Sequence, residues 1–424
     1  MKRIDYPHVG ETLYTDALPN GLTLLVVPKK GFSKTFAMLA TRYGGADRRF
    51  RFEGHWRDTP AGIAHFLEHK AFDMPDGSNT LAVFSANGAS PNAFTGADMT
   101  AYHFECTDRF EENLRLLLQF VSTPWFSGES VAKEQGIIGQ EIRMLDDSPG
   151  WVIYNNLMRA LYAHNPLRDS IGGTVESIAE ITADMLYACH KIFYNPSNMT
   201  LSVVGDVDPE RVRALAMEHL PAAPGEVPER DYGPAEDPLP LETKVSAAME
   251  VSIPRFLMGA KLPSGAKGTA RLRQMLVGDL ALECVLGRSS RFYLDLYAEG
   301  LLNRDFSAGT DITAGEQMLV LGGESKDPGA VCEAIFAAAE TAAEKGLDAA
   351  AFDRVKKTAF GARVRSLDSF DGLCAELAQS SFLGYNPFEV FSVLESITRQ
   401  DAESFIRSAL SREKIAVSVI TPIR

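Results

Sequence analysis

Apolar positions along the chain follow two periods. The runs "LTLLVVPK" (22–29) and "FAMLATRYGG" (36–45) are rich in aliphatic residues and punctuated by Asn-Gly and Gly-Gly, which predicts strands. "NAFTGADMTAYHFECT" (92–107) alternates and carries Thr, Tyr and Phe, so it should be a strand or a hairpin. Apolar residues three and four apart predict helices over 110–121, 131–145 and 331–345.

One pattern occurs twice. Ile181-Thr182 and Ile397-Thr398 each open an amphipathic helix with Thr placed as N-cap, and each helix leads to a strand-like run, Met199–Val204 and Ile415–Ile420. The same offset of 216 residues separates Ile181 from Ile397 and Met199 from Ile415. A duplicated α+β unit is therefore expected. Between the copies, "PAAPGEVPERDYGPAEDPLPLETK" (221–244) is too rich in proline and charge for a helix or a central strand. It reads as an extended linker between an N-terminal domain (1–220) and a C-terminal one (245–424).

Composition narrows the class. With 424 residues, 45% apolar and 23% charged, the chain has the make-up of a soluble globular protein of two domains. A net charge of −14 argues against nucleic acid or an anionic membrane surface as partner. No uninterrupted apolar run approaches the length of a bilayer span, and the N-terminus lacks the apolar core of a signal peptide. Five scattered cysteines without a CxxC pair fit a reducing compartment, so a cytoplasmic location is expected.

The candidate chemistry lies in "RDTPAGIAHFLEHKAF". Asp58 or Thr59 can cap a helix whose first position suits Pro60. On such a helix His65, Glu68 and His69 share a face, while Ile63, Phe66 and Leu67 point towards a core. Two imidazoles at this spacing can close on one zinc ion, with the carboxylate in reach of a water there. The order H-x-x-E-H would arise in only about one in a hundred random chains of this length. His8, His55, His103, His164, His190 and His219 lack such spacing and read as structural. Catalytic zinc takes three protein ligands, and the helical pattern over 131–145 offers Glu134 and Glu141 two turns apart on one face. Gly136 and Gly139 between them would let that helix approach another closely.

These residues resemble the pitrilysin, insulysin and mitochondrial processing peptidase family of inverted-motif zinc peptidases. The resemblance rests on "HFLEH", on the Glu134/Glu141 pair, on "NAFTGADMTAY" between them and on "NPSNMTLSVVGDVDPE" (195–210). Within the family, "EQGIIGQEIRMLDDSPGW" is most similar to the zinc-bearing subunit of small bacterial two-subunit members. The resemblance implies a zinc metalloendopeptidase subunit, half of a clam-shell chamber that hydrolyses short or unfolded peptides. It implies His65, His69 and Glu141 as ligands of one zinc ion, Glu134 as the acid orienting them, and Glu68 as general base. Asn92, Ala93 and Phe94 would lie on the edge strand that a peptide extends.

The second half departs from the family pattern. "DLALECVLG" (279–287) resembles the zinc helix with Leu280 and Cys284 near the histidine positions, and an Arg/Tyr pair that would steady the substrate carbonyl is missing in register from "GRSSRFYLDLYAEGLLNRDFS" (287–307). Arg291, Tyr293 and Arg304 are nearby substitutes or packing residues. The resemblance therefore implies a second family subunit without zinc that supplies the pair, a heterodimer, with a homodimer as the form in isolation. The rival expectations are a non-catalytic scaffold or peptide-binding subunit of the same fold, and a module whose metal is only structural.

Overall fold

The computed structural model describes residues 1–74 and 79–423. The chain opens with β1 (Lys2–Tyr6), β2 (Glu11–Ala17), β3 (Thr23–Pro28) and β4 (Thr35–Thr41), then a short hairpin, β5 (Arg49–Phe52) and β6 (His55–Asp58). Helices α1 (Ile63–Ala71) and α2 (Thr80–Ala86) precede a second hairpin, β7 (Ala89–Thr95) and β8 (Thr100–Cys106). Next come α3 (Phe110–Ser122), α4 (Gly128–Asp146), α5 (Pro149–Leu161), α6 (Val175–Ala179), α7 (Ala183–Phe193), β9 (Met199–Gly205), α8 (Pro209–His219) and β10 (Glu229–Arg230). The second half runs β11 (Lys244–Met249), β12 (Arg255–Leu262), α9 (Thr269–Leu286), α10 (Arg291–Ala298), β13 (Ser307–Thr313), β14 (Glu316–Glu324) and α11 (Pro328–Lys345). It closes with α12 (Ala349–Ser366), α13 (Phe370–Leu383), α14 (Val390–Ser396), α15 (Arg399–Ala409) and β15 (Ala416–Pro422).

The first unit is built on a seven-stranded sheet in the order β1-β2-β3-β9-β4-β8-β7. All residues of β4 and β9 are buried, as strands covered on both faces must be. Successive side chains of β9 point to opposite faces. Leu201 and Val203 join the core under α1 and α3, with Phe66, Leu67, Leu114 and Leu118. Thr200 and Ser202 face α13 instead: Thr200 Oγ1 lies 3.2 Å from Ser381 Oγ, and Ser202 Oγ donates to the Cys374 carbonyl at 3.0 Å.

The second unit repeats the plan on five strands, β11-β15-β12-β14-β13. β9 runs parallel to β3 and antiparallel to β4; β15 runs parallel to β11 and antiparallel to β12. The helices before β9 and β15 begin as the sequence predicts, with Thr182 Oγ1 accepting from Met185 N and Thr398 Oγ1 from Asp401 N. The α+β duplication is present. Helix α5 covers this sheet at Gly259, where a Cβ would lie 3.0 Å from Leu157 Cδ2.

The compact units do not follow a linear cut near 220–245. The first gathers residues 1–142, 170–232 and 364–388; the second gathers 143–169, 233–363 and 389–424. Periodicity identifies a helix but not the sheet it will cover, and α5 and α13 both cover the sheet of the other half of the sequence. Residues 221–243 contain one short strand, β10, which pairs with β5. In the first unit Arg230 Nε and Tyr232 Oη reach the buried Asp47 Oδ1 at 3.1 and 2.9 Å. In the second, Glu236 accepts from the amides of Ala163, His164 and Asn165 at 2.9, 2.6 and 2.7 Å.

Candidate active site

The helix carrying the histidines starts later than its sequence suggests. Asp58 is drawn into β6 opposite Arg49, which it pairs at 3.0 Å, and Thr59 Oγ1 donates to the Arg48 carbonyl. The N-cap is Gly62, at φ 92, a left-handed conformation natural to glycine. A Cβ there would also lie 2.5 Å from the Gly172 carbonyl oxygen. Beyond this cap Ile63, Phe66 and Leu67 are buried as expected, with Ala64 beside them, which turns His65, Glu68 and His69 to the opposite, partly open side.

Helix α4 brings two carboxylates to this side. Glu141 Oε1 lies 3.6 Å from His65 Nε2, and Glu141 Oε2 lies 3.5 Å from His69 Nε2. Glu134 sits behind: its Oε1 is 3.0 Å from His69 Nδ1. The glycines between them have another setting than expected. A Cβ on Gly136 would meet nothing within 4 Å, and one on Gly139 only Ile178 Cδ1 at 4.0 Å. No tight helix contact explains either residue.

The ligand atoms of His65, His69 and Glu141 all lie within 4.8 Å of one another, the one such group of ligand-type residues among those described. Separations of 3.5–3.6 Å are too long for good hydrogen bonds. They are near the roughly 3.3 Å edge of a tetrahedron with bonds near 2 Å, the geometry of zinc with nitrogen and oxygen ligands, with each histidine facing a different Glu141 oxygen. The three residues fit that ion.

Electrostatics differ across the cluster. Burial, then the neighbouring His69, push His65 down to about 4, so its imidazole is neutral and free to ligate at neutral pH. Burial also disfavours charge on His69, but the hydrogen bond to Glu134 and the carboxylates of Glu68 and Glu141 outweigh it and raise its pKa. For Glu134 burial works upward and is overcome by His69 and Lys70, leaving the carboxyl below its usual range. Burial raises Glu68 above the ordinary carboxylate value, although Thr95 Oγ1 donates to its Oε2 at 2.7 Å.

Thr95 ends β7, the edge strand of the first sheet, which carries Asn92, Ala93 and Phe94 opposite His103, Tyr102 and Ala101 of β8. The Asn92 side-chain oxygen accepts from the amide of Ala93, and Phe94 is exposed. The sequence reading missed Thr95 and Lys70 as neighbours of the site. Their signal was adjacency: Thr95 follows Phe94, and Lys70 follows His69. Of the other histidines, His190 is buried with Nε2 2.8 Å from the Val121 carbonyl, a structural role as expected.

In the second unit, Leu280 is buried on α9 and Cys284 is a free thiol, as are all five cysteines. Arg291 is exposed and paired with Asp295 at 2.8 Å, and Tyr293 is buried with its hydroxyl donating to the Asn303 carbonyl.

Known proteins resemble the chain along nearly its whole length. Residues 53–175 match the model of insulinase (peptidase family M16), and residues 180–359 match that of the peptidase M16 inactive domain. A Bacillus subtilis protein named "uncharacterized zinc protease YmfH" is 37% identical over 100% of this chain and 99% of its own. The crystal structure of an M16-like peptidase from Alicyclobacillus acidocaldarius superposes with a TM-score of 0.93 at 35% identity, covering 99% of this chain and 100% of that one. The periplasmic protease PqqL of Escherichia coli shares the fold: 96% of this chain covers 47% of it, with a TM-score of 0.75 at 20% identity. The histidine pair lies inside the insulinase match, α9 with Leu280 and Cys284 lies inside the inactive-domain match, and the chain belongs to peptidase family M16.

Proposed function

We propose that the chain is the zinc-bearing subunit of a metalloendopeptidase that cleaves short or unfolded peptides. The approach of His65 Nε2 and His69 Nε2 to the two Glu141 oxygens, with a ligand atom of each of the three residues within 4.8 Å of the others, carries this reading. His65, His69 and Glu141 would hold one zinc ion, which when bound would polarise the scissile carbonyl and acidify water.

The remaining chemistry falls to side chains. With Oε2 occupied by Thr95, Glu68 has Oε1 to take a proton from the attacking water. Its burial-raised pKa suits a base that must keep that proton until the next step. The water oxygen bonds to the carbonyl carbon, the carbon–nitrogen bond breaks, and Glu68 returns the proton to the leaving amine. Glu134 keeps the proton of His69 on Nδ1, which aims the Nε2 lone pair at the ligand cluster. The outer edge of β7, at Asn92, Ala93 and Phe94, is the surface along which a peptide would add by main-chain hydrogen bonds.

The active form is a heterodimer with a zinc-free subunit of the same family, working in the cytoplasm. Two observations support the pairing. The chain matches about half of PqqL, and Tyr293 is buried with its hydroxyl already donating to the Asn303 carbonyl. The test is Glu68→Gln in the co-purified complex, read with a quenched unstructured peptide and by metal content. Zinc retained with cleavage lost is the expected result. Unchanged cleavage overturns the catalytic assignment, and full cleavage by the isolated chain overturns the need for a partner.

A further inference from the structure

Lys70, the residue after His69, is 2% exposed, an unusual place for an ammonium group. Its Nζ pairs with Asp73 Oδ2 and lies 3.7 Å from Glu134 Oε2. The other Glu134 oxygen is the one 3.0 Å from His69 Nδ1. A carboxylate only accepts, so Nδ1 carries a hydrogen and Nε2 is the ring nitrogen left for a ligand on the side of His65 and Glu141. Glu134 thus stands between a fixed cation and the back of a histidine.

We propose that Lys70 is a positioning residue of the metal centre, acting through Glu134 on the orientation and tautomer of His69. Without the ammonium, Glu134 is free to rotate away from Nδ1, and no second partner holds that nitrogen among the described residues. Asp73 has a separate part: it neutralises the ammonium so that a buried cation is tolerated in metal-free protein. A lysine serving Asp73 alone would leave metal binding unaffected by its loss.

This inference rests on the zinc site proposed above, and the experiment separates the two. Zinc affinity of the full chain is measured by competition with a chromogenic chelator for wild type, Lys70→Met, Lys70→Arg, Glu134→Gln and the Lys70→Met/Glu134→Gln double variant. Metal-free fold is checked by circular dichroism; if Lys70→Met does not fold, Lys70→Gln replaces it in the same cycle. Lys70→Met should weaken zinc binding about tenfold or more, within the range known for outer-sphere partners of a ligand. Lys70→Arg should stay within about threefold, and the double variant should bind no more weakly than Glu134→Gln, because one residue acts through the other. Equal affinity of wild type and Lys70→Met, or effects of the two single changes that multiply in the double variant, overturns the assignment to Lys70. Failure of the wild-type chain to bind zinc overturns the metal site itself.

Discussion

Thr95 Oγ1 donates to Glu68 Oε2 across 2.7 Å, tying the end of an edge strand to the acid on the histidine helix. The bond favours the ionised carboxylate against the burial that disfavours it. Thr95→Val keeps the shape and removes the donor. The acid limb of the kcat/KM profile should move to higher pH, and kcat should fall roughly tenfold, about the worth of one charge-assisted hydrogen bond, with zinc content unchanged. An unmoved acid limb would show that Thr95 does not tune this group.

Gly62→Ala should destabilise the first unit. The substitution puts a Cβ 2.5 Å from the Gly172 carbonyl oxygen at φ 92. Left-handed strain alone costs about 1–2 kcal/mol, and the clash adds to it. Urea unfolding of the metal-free chain measures the loss.

Glu236→Gln should weaken the second unit. Lys261, nearly buried, lies 3.6 Å from the carboxylate that also accepts from three successive amides. Burial opposes the charge, but those amides and the lysine win and hold the pKa below its usual value. The group therefore stabilises the fold above the ordinary carboxylate range and loses that contribution as pH falls through its lowered value. The variant should be less stable at pH 7 by roughly 2–4 kcal/mol and show a shallower acid loss.

His190 supplies a pH effect at milder acidity. Burial holds it near 4, against 6.5 when unfolded. The unfolded chain takes up the proton first, so stability is lost as pH drops from 7 to 5, by about 2 kcal/mol from this residue alone. His190→Gln, which keeps a donor for the Val121 carbonyl, should remove that share of the slope in paired urea titrations. An identical slope would rule His190 out as its source.

Local signals in the sequence were accurate where one element decides them. The Thr182 and Thr398 caps, the hairpin over 92–107 and the core face of α1 all lie where side-chain type and spacing put them. The start of α1 was misplaced because Asp58 and Thr59 are good caps in isolation, whereas pairing with Arg48 and Arg49 takes them into a hairpin. Gly136 and Gly139 were read as marks of close packing, but a Cβ would meet open space at the first and only an ordinary contact with Ile178 at the buried second. Within the site, the motif gave His65, Glu68 and His69, and seven-residue spacing gave Glu134 and Glu141. Thr95 and Lys70 stayed hidden because their importance comes from contacts across 27 and 64 positions of chain.

The exchange of α5 and α13 also bears on how the protein is made. During synthesis the N-terminal sheet can pair all of its strands once β9 has left the ribosome, yet the face carrying Thr200 and Ser202 waits for α13. The growing chain must shield that face through the translation of β11 to β14 and of α11 and α12. Chaperone demand should therefore peak late in elongation, and a ribosome stalled before residue 370 should hold a nascent chain more open to proteases than one released at full length.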